Sequence, residues 1–177
     1  MIKHIFIKNI VLIETLKIDF DAGLTVFSGE TGAGKSVLLN CLSLATGRRS
    51  DVSYLRKGVE EGSVTVEFDI KNNSFMKEKL AKYGFSTENN QVFLRRILYK
   101  SGKSKAFIND NPVTVGLLQS IGSELIEIHG QNEKIGLLDV GLHVKLLDRY
   151  ASHSSLLKKL EDTYKSYKTL SNIYLEA

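Results

Sequence analysis

Alternation of hydrophobic and polar positions predicts most of the strands in this 177-residue chain. The predicted strands are residues 2–8, 15–20, 24–27, 64–70, 91–99, 105–109 and 124–128. The third of them, Leu24-Thr25-Val26-Phe27, is β-branched and aromatic, which predicts a buried strand. Ser101 and Gly102 lie between two alternating runs and predict a hairpin. The pattern therefore indicates a strand-rich region with short turns.

Helical periodicity appears in four places, the last of which extends to the end of the sequence. The predicted helices are residues 37–45, 74–83 and 113–121 and the region from about residue 142 onward. In the last region an apolar seam with spacings of three, four, three and seven is formed by Leu157, Leu160, Tyr164, Tyr167 and Tyr174. Such a seam is typical of a helix packed on its own domain or of the root of a coiled coil. We therefore expect two parts, a lobe at 1–140 and a helical segment at 141–177.

A phosphate-binding motif lies between the strand predicted at 24–27 and the first predicted helix. The residues of the predicted cradle are Gly29, Glu30, Thr31, Gly32, Ala33, Gly34, Lys35, Ser36 and Val37. The glycines allow backbone N–H groups to turn inward, and the helix N-terminus adds a partial positive charge. Lys35 is placed to reach the β- and γ-phosphates, and the hydroxyl of Ser36 to bind Mg²⁺. The motif predicts binding of a nucleoside triphosphate.

Composition agrees with a globular protein that works inside the cell. Hydrophobic residues make up 42% of the chain, charged residues 25%, and the formal net charge is +4. This charge permits contact with nucleic acid without requiring it. The single cysteine, Cys41, excludes an internal disulfide and favours a reducing compartment. Neither a signal peptide nor a membrane-spanning run is present in the sequence, so a cytoplasmic location without membrane contact is expected.

The acidic strand that a phosphate-loop hydrolase needs is missing from the pattern. A hydrolase of this class has an apolar strand that ends in a carboxylate, which holds the metal-bound water and polarises the attacking one. Asp69 follows a half-exposed strand, Asp139 follows a short run broken by glycine, and Glu127 lies inside its predicted strand. None of these three carboxylates ends a buried apolar strand. The sequence therefore indicates half of a catalytic site, with a phosphate loop and without catalytic carboxylates.

Several ordered segments of the chain resemble the RecN family, which belongs to the SMC branch of the ABC ATPases and acts in bacterial repair of DNA double-strand breaks. The resembling segments are residues 5–13, 29–36, 55–58, 94–98, 104–109, 112–114, 128–133 and 137–139. The resemblance implies an α/β P-loop NTPase fold of the ABC/SMC head type, with a mixed sheet around the P-loop helix and a C-terminal helix that begins a coiled coil. It also implies that this chain is the N-terminal lobe of a head whose C-terminal lobe carries the catalytic carboxylates and the signature motif.

The resemblance further implies a set of site residues and partners. Lys35 and Gln131 are implied as catalytic, Ser36 and Gln131 as Mg²⁺ ligands, and Lys8 and Asn9 as neighbours of ATP. The implied partners are the C-terminal lobe of the same protein, a second head that joins when ATP binds, and DNA, with association with the nucleoid. Arg48 and Arg49 are candidates for an arginine near the phosphates or DNA. The chain departs from the family after Gln131, where Asn132-Glu133-Lys134-Ile135 replaces a histidine-rich continuation.

Other interpretations of the same residues remain open at this stage. The chain would be a self-contained small P-loop kinase if its arginines formed a lid, or an interaction module if the phosphate loop were only structural. Gln131 is also compatible with a surface glutamine, and His129 with a hydrogen-bonded histidine in or near the core. The cations of the hairpin fit either DNA contacts or a solvated strand edge; they are Arg95, Arg96, Lys100, Lys103 and Lys105.

Overall fold

The chain forms two compact units, residues 1–128 and 129–177, and each is described here by itself. The computed structural model describes residues 1–28, 34–87, 89–128, 143–144, 147–148, 150–151 and 153–176. The predicted boundary at residue 140 lies outside the described residues.

The first unit is built on one antiparallel sheet of six strands. The strands are β1 (Ile2–Ile10), β2 (Ile13–Asp19), β3 (Glu61–Asp69), β4 (Gln91–Tyr99), β5 (Ser104–Ile108) and β6 (Asn111–Val113). Their order across the sheet is β2-β1-β3-β4-β5-β6, and every neighbouring pair is antiparallel. Hairpin turns join β1 to β2, β4 to β5 and β5 to β6. The alternating segments of the sequence thus form one continuous sheet.

The two faces of this sheet differ sharply in burial. One face carries the hydrophobic core, because most of the alternate residues of β1, β3 and β4 on this side are apolar and buried. Examples are Ile5, Val66 and Leu94, which are cross-strand neighbours and have no exposed surface. The helices of the first unit pack on this face. We refer to the opposite side as the open face, and none of the described helices of the first unit packs against it.

Three helices of the first unit complete its core. They are α1 (Lys35–Ala45), α2 (Ser74–Lys82) and α3 (Val115–Leu125), with a short 3-10 turn at Val52–Tyr54. Side chains cap two of them, since Asn73 accepts from the N–H of Met76 at 3.0 Å and Thr114 from that of Leu117 at 3.2 Å. α1 packs against β3 and β4, while α3 packs against β5. The helix that follows the phosphate loop is therefore fixed on the centre of the sheet.

The second unit contains one long described helix, α4 (Ser154–Glu176). The side chains of its predicted seam are all exposed; they are Leu157, Leu160, Tyr164, Tyr167 and Tyr174. Lys165 and Glu161 form an ion pair one turn apart on its surface, at 2.6 Å. An apolar stripe that stays exposed along 23 residues agrees with the coiled-coil root predicted from the sequence, and this role remains a prediction.

Two predicted strands are wrong. Residues 24–27 form no strand, and Leu24 and Val26 remain 92% and 75% exposed. A strand is stable only when a neighbour satisfies its backbone, and no described strand lies beside this segment. Glu124 and Leu125 end α3 instead of beginning a strand, because the N–H of Ile126 still donates to the carbonyl of Gly122 at 3.1 Å.

Candidate nucleotide-binding site

The N-terminus of α1 has the polarity that suits an anion. Gly34 is the residue that caps this helix, and no side chain of the described residues accepts from the first turn. Asp and Glu are absent from that turn. A Cβ added at Gly34 would meet no described atom within 4 Å. The helix dipole and the N–H groups of the first turn, which no described side chain caps, together favour a phosphate group here.

The first turn of α1 exposes the polar residues of the motif and buries the apolar ones. Lys35 and Ser36 are exposed, whereas Leu38 and Cys41 are buried against the sheet. Val37 is half-buried at the edge of the core. The motif side chains of the first turn thus lie at the surface, while the apolar side chains anchor the helix. Four other residues of the cradle, Glu30, Thr31, Gly32 and Ala33, lie outside the described residues, as do Gly29 and Gln131.

The anchoring residue Cys41 has no chemistry of its own at this site. Desolvation by the surrounding core raises the pKa of its thiol to about 12, so the group is protonated at neutral pH. A protonated, buried thiol is neither a nucleophile nor a metal ligand. Cys41 therefore acts as a small apolar side chain that holds α1 on the sheet.

Close contact between backbones fixes the other end of α1. Gly47 has a φ of +95°, and a Cβ there would lie 2.6 Å from the backbone nitrogen of Gln119. A Cβ at Gly122 would lie 2.7 Å from the carbonyl oxygen of Thr46. Only glycine fits at these two points, because both obstructing atoms belong to the backbone. No local sequence pattern predicts this contact between α1 and α3, since its two glycines lie 75 positions apart.

Lys8 and Asn9, which the resemblance to the RecN family implies as neighbours of ATP, lie near the end of β1 beside a tight turn. Asn9 adopts a positive φ of 56°, and its amide donates to the carbonyl of Glu61 at 3.2 Å. The N–H of Arg56 donates to the carbonyl of Asn9 at 3.1 Å. Lys8 is exposed on the open face of the sheet. These bonds hold the end of β1 rigidly, and contact of the two residues with ATP stays a prediction.

Arg48 and Arg49 lie at the opposite end of α1 from the predicted cradle. They follow the C-terminus of the helix, where the N–H of Arg48 donates to the carbonyl of Ser43 at 3.0 Å. An α-helix of 11 residues is about 16 Å long, which separates these arginines from Gly34. This placement therefore does not support contact of either arginine with phosphates bound at the N-terminus of the same α1.

Arg96 is the main surprise of the structure. The sequence groups it with the solvated cations of the hairpin, but the strand turns it to the core face, where it is 2% exposed. This grouping is wrong for Arg96, because β4 places alternate residues on opposite faces and Arg95 takes the open one. Its Nη2 donates to Oγ of Ser104 at 2.8 Å, while its Nε and Nη1 have no hydrogen-bond partner among the described residues. Burial lowers its pKa.

The described residues supply no catalytic carboxylate to this site. Asp69 accepts from the N–H of Lys71 at 2.7 Å and shapes the turn after β3, which is a structural role. Asp139 lies outside the described residues. Among the described residues, no group of three or more His, Cys, Asp or Glu side chains is suited to hold a metal ion. The same residues include no helix that is long and apolar enough to cross a membrane.

A family model for an AAA domain matches residues 4–176 of the chain. Among solved structures, the Smc head domain with an extended coiled coil from Pyrococcus furiosus aligns with 98% of this chain and 48% of its own, with a TM-score of 0.65 and 19% identity. The recombination mediator protein RecF of the RecFOR pathway, solved as RecF-ATPrS, aligns with 67% of this chain and 29% of its own, with a TM-score of 0.52 and 18% identity. The chain therefore belongs to the AAA domain family and has the fold of a P-loop ATPase head of the SMC type.

Within that class the chain is RecN-like. It is 35% identical to DNA repair protein RecN of Vibrio cholerae over 172 residues, which cover 97% of this chain and 31% of that protein. Identity to RecN of Bacillus subtilis is 34% over 172 residues, covering 96% of this chain and 30% of that protein. The chain thus spans about a third of the length of the curated relatives it matches.

Proposed function

We propose that this chain is the N-terminal lobe of an SMC-like ATPase head that acts in DNA repair and binds ATP with Mg²⁺. The observation that carries the proposal is the phosphate-loop sequence, which leads directly into the uncapped and acid-free N-terminus of α1. Lys35 would neutralise the β- and γ-phosphates, and Ser36 would bind Mg²⁺ through its hydroxyl. Gln131 would complete the metal shell or orient the attacking water.

Catalysis in this proposal needs a second lobe. The described part of the chain offers no acidic strand next to α1, and it leaves the apolar segment 24–27 exposed beside the cradle sequence. A C-terminal lobe of the same protein would pair with this segment and supply the carboxylates. Two such heads would then enclose ATP between them, and loss of the γ-phosphate would remove the bridge that holds them together. The comparisons give no support to the small kinase considered from the sequence.

The DNA-repair role is proposed from the RecN relatives, each of which is named a DNA repair protein. In the whole protein, the ATP cycle would couple the state of the heads to engagement of DNA and to the coiled coil that α4 begins. We infer that its place of action is the nucleoid, where its DNA partner is found.

The test measures ATP binding and ATP turnover by the purified chain, with Lys35→Ala as the loss-of-function variant and Lys82→Ala as the control for removal of an exposed lysine. We expect Mg²⁺-dependent binding that Lys35→Ala weakens at least tenfold and Lys82→Ala leaves unchanged. Turnover should stay far below an ordinary enzyme rate of about one per second. Turnover at that rate would contradict the half-site, and binding that Lys35→Ala leaves intact would contradict the cradle.

A further inference from the structure

The open face of the sheet carries two neighbouring cross-strand rows that contain no carboxylate. The first row, read from β2 to β6, is Lys17, Phe6, Thr65, Arg95, Phe107 and Pro112. The second row, read from β2 to β5, is Thr15, Lys8, Ser63, Ile97 and Lys105. Cross-strand partners share one face of a sheet, so the two rows form a single surface, which we call the track. None of its side chains is buried.

The charges of the track have one sign. Four cations lie on it, two in each row, and the acidic residues of the open face lie in the rows on either side. Asp19 and Glu67 belong to the row on one side, and Glu61 belongs to the row on the other. Strands are spaced about 4.8 Å apart, so a track across six of them is roughly 24 Å long. It is a narrow strip of cations bounded by carboxylates, two of which pair with it: Asp19 lies 3.3 Å from Nζ of Lys17, and Asp110 contacts Arg95.

Flat apolar groups are interleaved with these cations. Phe6 is 40% exposed although it lies on a central strand. The guanidinium of Arg95 lies 4.7 Å from the centre of the Phe107 ring, and its Nη2 contacts Oδ1 of Asp110 in the turn after β5 at 2.8 Å. Along the row, Arg95 lies two strand spacings from Phe6 and Phe107 lies three, which corresponds to roughly 10–14 Å. The track thus offers two planar platforms with cations beside both.

We propose that the track binds single-stranded nucleic acid, with bases stacked on Phe6 and on the Arg95–Phe107 pair and phosphates on Lys17 and Lys105. A single strand presents unstacked bases together with a regular negative backbone, whereas a duplex hides its bases. Antiparallel sheets with exposed aromatic rings typically stack two or three bases, and the length of the track suits that number. The inference deepens the proposed DNA-repair function and rests on it only for the choice of nucleic acid.

The test uses the full chain and a fluorescein-labelled oligothymidylate of about ten nucleotides, with fluorescence anisotropy measured over a salt series. We expect Phe6→Ala to weaken binding roughly tenfold, because one stacked base is lost. Lys17→Gln and Lys105→Gln should each weaken binding and reduce the slope of log K against log salt by about 0.7. The matched controls are Tyr83→Ala and Lys82→Gln, which remove an exposed ring and an exposed lysine at the end of α2, away from the track.

Three outcomes would overturn the proposal. The first is no binding of the oligonucleotide by the unaltered chain at low salt. The second is binding that Phe6→Ala leaves intact and that a blunt duplex of the same length matches, which would indicate contact with phosphates only. The third is self-association of the chain that Phe6→Ala abolishes, in the absence of oligonucleotide binding, which would make a second copy the occupant. Circular dichroism of each variant establishes that a loss is not unfolding.

Failure of this inference can be told apart from failure of the proposed ATP-binding function. Phe6→Ala should bind ATP like the unaltered chain, because Phe6 lies on the face of the sheet that α1 does not contact. Lys35→Ala should lose ATP and keep the oligonucleotide. If ATP binding is absent while Phe6→Ala still weakens oligonucleotide binding, the nucleic-acid site is supported and the ATP site is contradicted. If ATP binds while the oligonucleotide does not, the ATP site is supported and the nucleic-acid site is contradicted.

Discussion

Gly122 in α3 passes so close to Thr46 at the end of α1 that a Cβ atom at Gly122 would lie 2.7 Å from the Thr46 carbonyl oxygen and the same distance from its Cβ. The two helices therefore touch through their backbones. This contact fixes the end of α1 opposite to the proposed phosphate cradle. The position of a phosphate-binding helix thus depends on a glycine 88 residues further along the chain than Gly34.

Gly122→Ala should destabilise the chain by about 1–3 kcal/mol, because the added methyl group meets backbone atoms that cannot rotate away. The free energy of unfolding is measured by urea denaturation. Gly116→Ala is the matched control in the same helix, since a Cβ there meets no described atom within 4 Å. It should stabilise the chain by up to about 1 kcal/mol through helix propensity. Equal effects of the two variants would show that α1 and α3 do not touch as described.

Lys79 and Glu124 link α2 to α3 through a partly buried ion pair of 2.7 Å, and Lys79 also donates to Oγ of Ser120 at 2.9 Å. Lys79→Met should destabilise the chain by about 1–3 kcal/mol, because it leaves the Glu124 carboxylate without its charged partner. Unfolding in urea measures this change, and the double variant Lys79→Met/Glu124→Gln should recover part of the loss.

The exposed pair Lys165 and Glu161 in α4 provides the comparison for that measurement. Its length is 2.6 Å, but both side chains are more than 60% exposed. Lys165→Met should leave the unfolding free energy nearly unchanged, since surface pairs are screened by solvent. If Lys79→Met cost no more than this, burial would not strengthen the pair between α2 and α3.

His4 links β1 to β2 at the end of the sheet, with its Nδ1 2.5 Å from a carboxylate oxygen of Asp19. The hydrogen bond with His4, followed by that with Lys17, lowers the pKa of Asp19 from its usual value of 3.8. A lowered pKa in the folded state means that the stabilisation is present above pH 3.8 and is lost as the pH falls through the folded pKa.

The corresponding variant is His4→Gln, and the measurement is an NMR titration of the Asp19 carboxyl group. We expect the pKa of Asp19 to rise toward its usual value in this variant, with less change in Lys17→Gln. The stability of His4→Gln should also depend less on pH below 4 than that of the unaltered chain. An unchanged Asp19 pKa in both variants would show that neither bond persists in solution.

Local sequence patterns predicted the strands and helices whose apolar residues are buried by neighbouring elements of the first unit. β3, β4 and β5 alternate cleanly because one face of each meets the core and the other meets solvent, and the predicted segments agree with the observed strands to within about three residues. α1 was predicted from its periodicity, as were α2 and α3. In each case the neighbouring elements that bury the apolar residues lie within the first unit.

Prediction failed where burial depends on something outside a short window. Residues 24–27 have the composition of a buried strand, but the described sheet ends at β2 and provides no neighbour for them. Leu125 belongs both to the helical pattern of α3 and to the apolar run that predicts a strand at 124–128. It ends α3, so the helix outweighs the strand preference of this residue. The cradle motif was recognised from its spacing alone, whereas the glycine contact that positions its helix joins Thr46 to Gly122 and leaves no local signal.

Arg96 is a buried cation at a position where the sequence pattern predicts a solvated one. Its charge is buried, and it donates one described hydrogen bond, to Ser104, with no ion pair to a described carboxylate. Removing a buried charge of this kind in favour of an apolar side chain of similar length is often neutral or stabilising. Arg96→Met should therefore change the unfolding free energy by between about 0 and 2 kcal/mol in the stabilising direction.

Arg96→Ala separates the charge from the volume of the side chain. It removes both, and the cavity should destabilise the chain by about 2–4 kcal/mol relative to Arg96→Met. Urea denaturation of the two variants gives the difference directly. If Arg96→Met were itself destabilising by more than about 2 kcal/mol, the guanidinium would have an anionic partner beyond the described residues, and its charge would contribute to the stability of the fold.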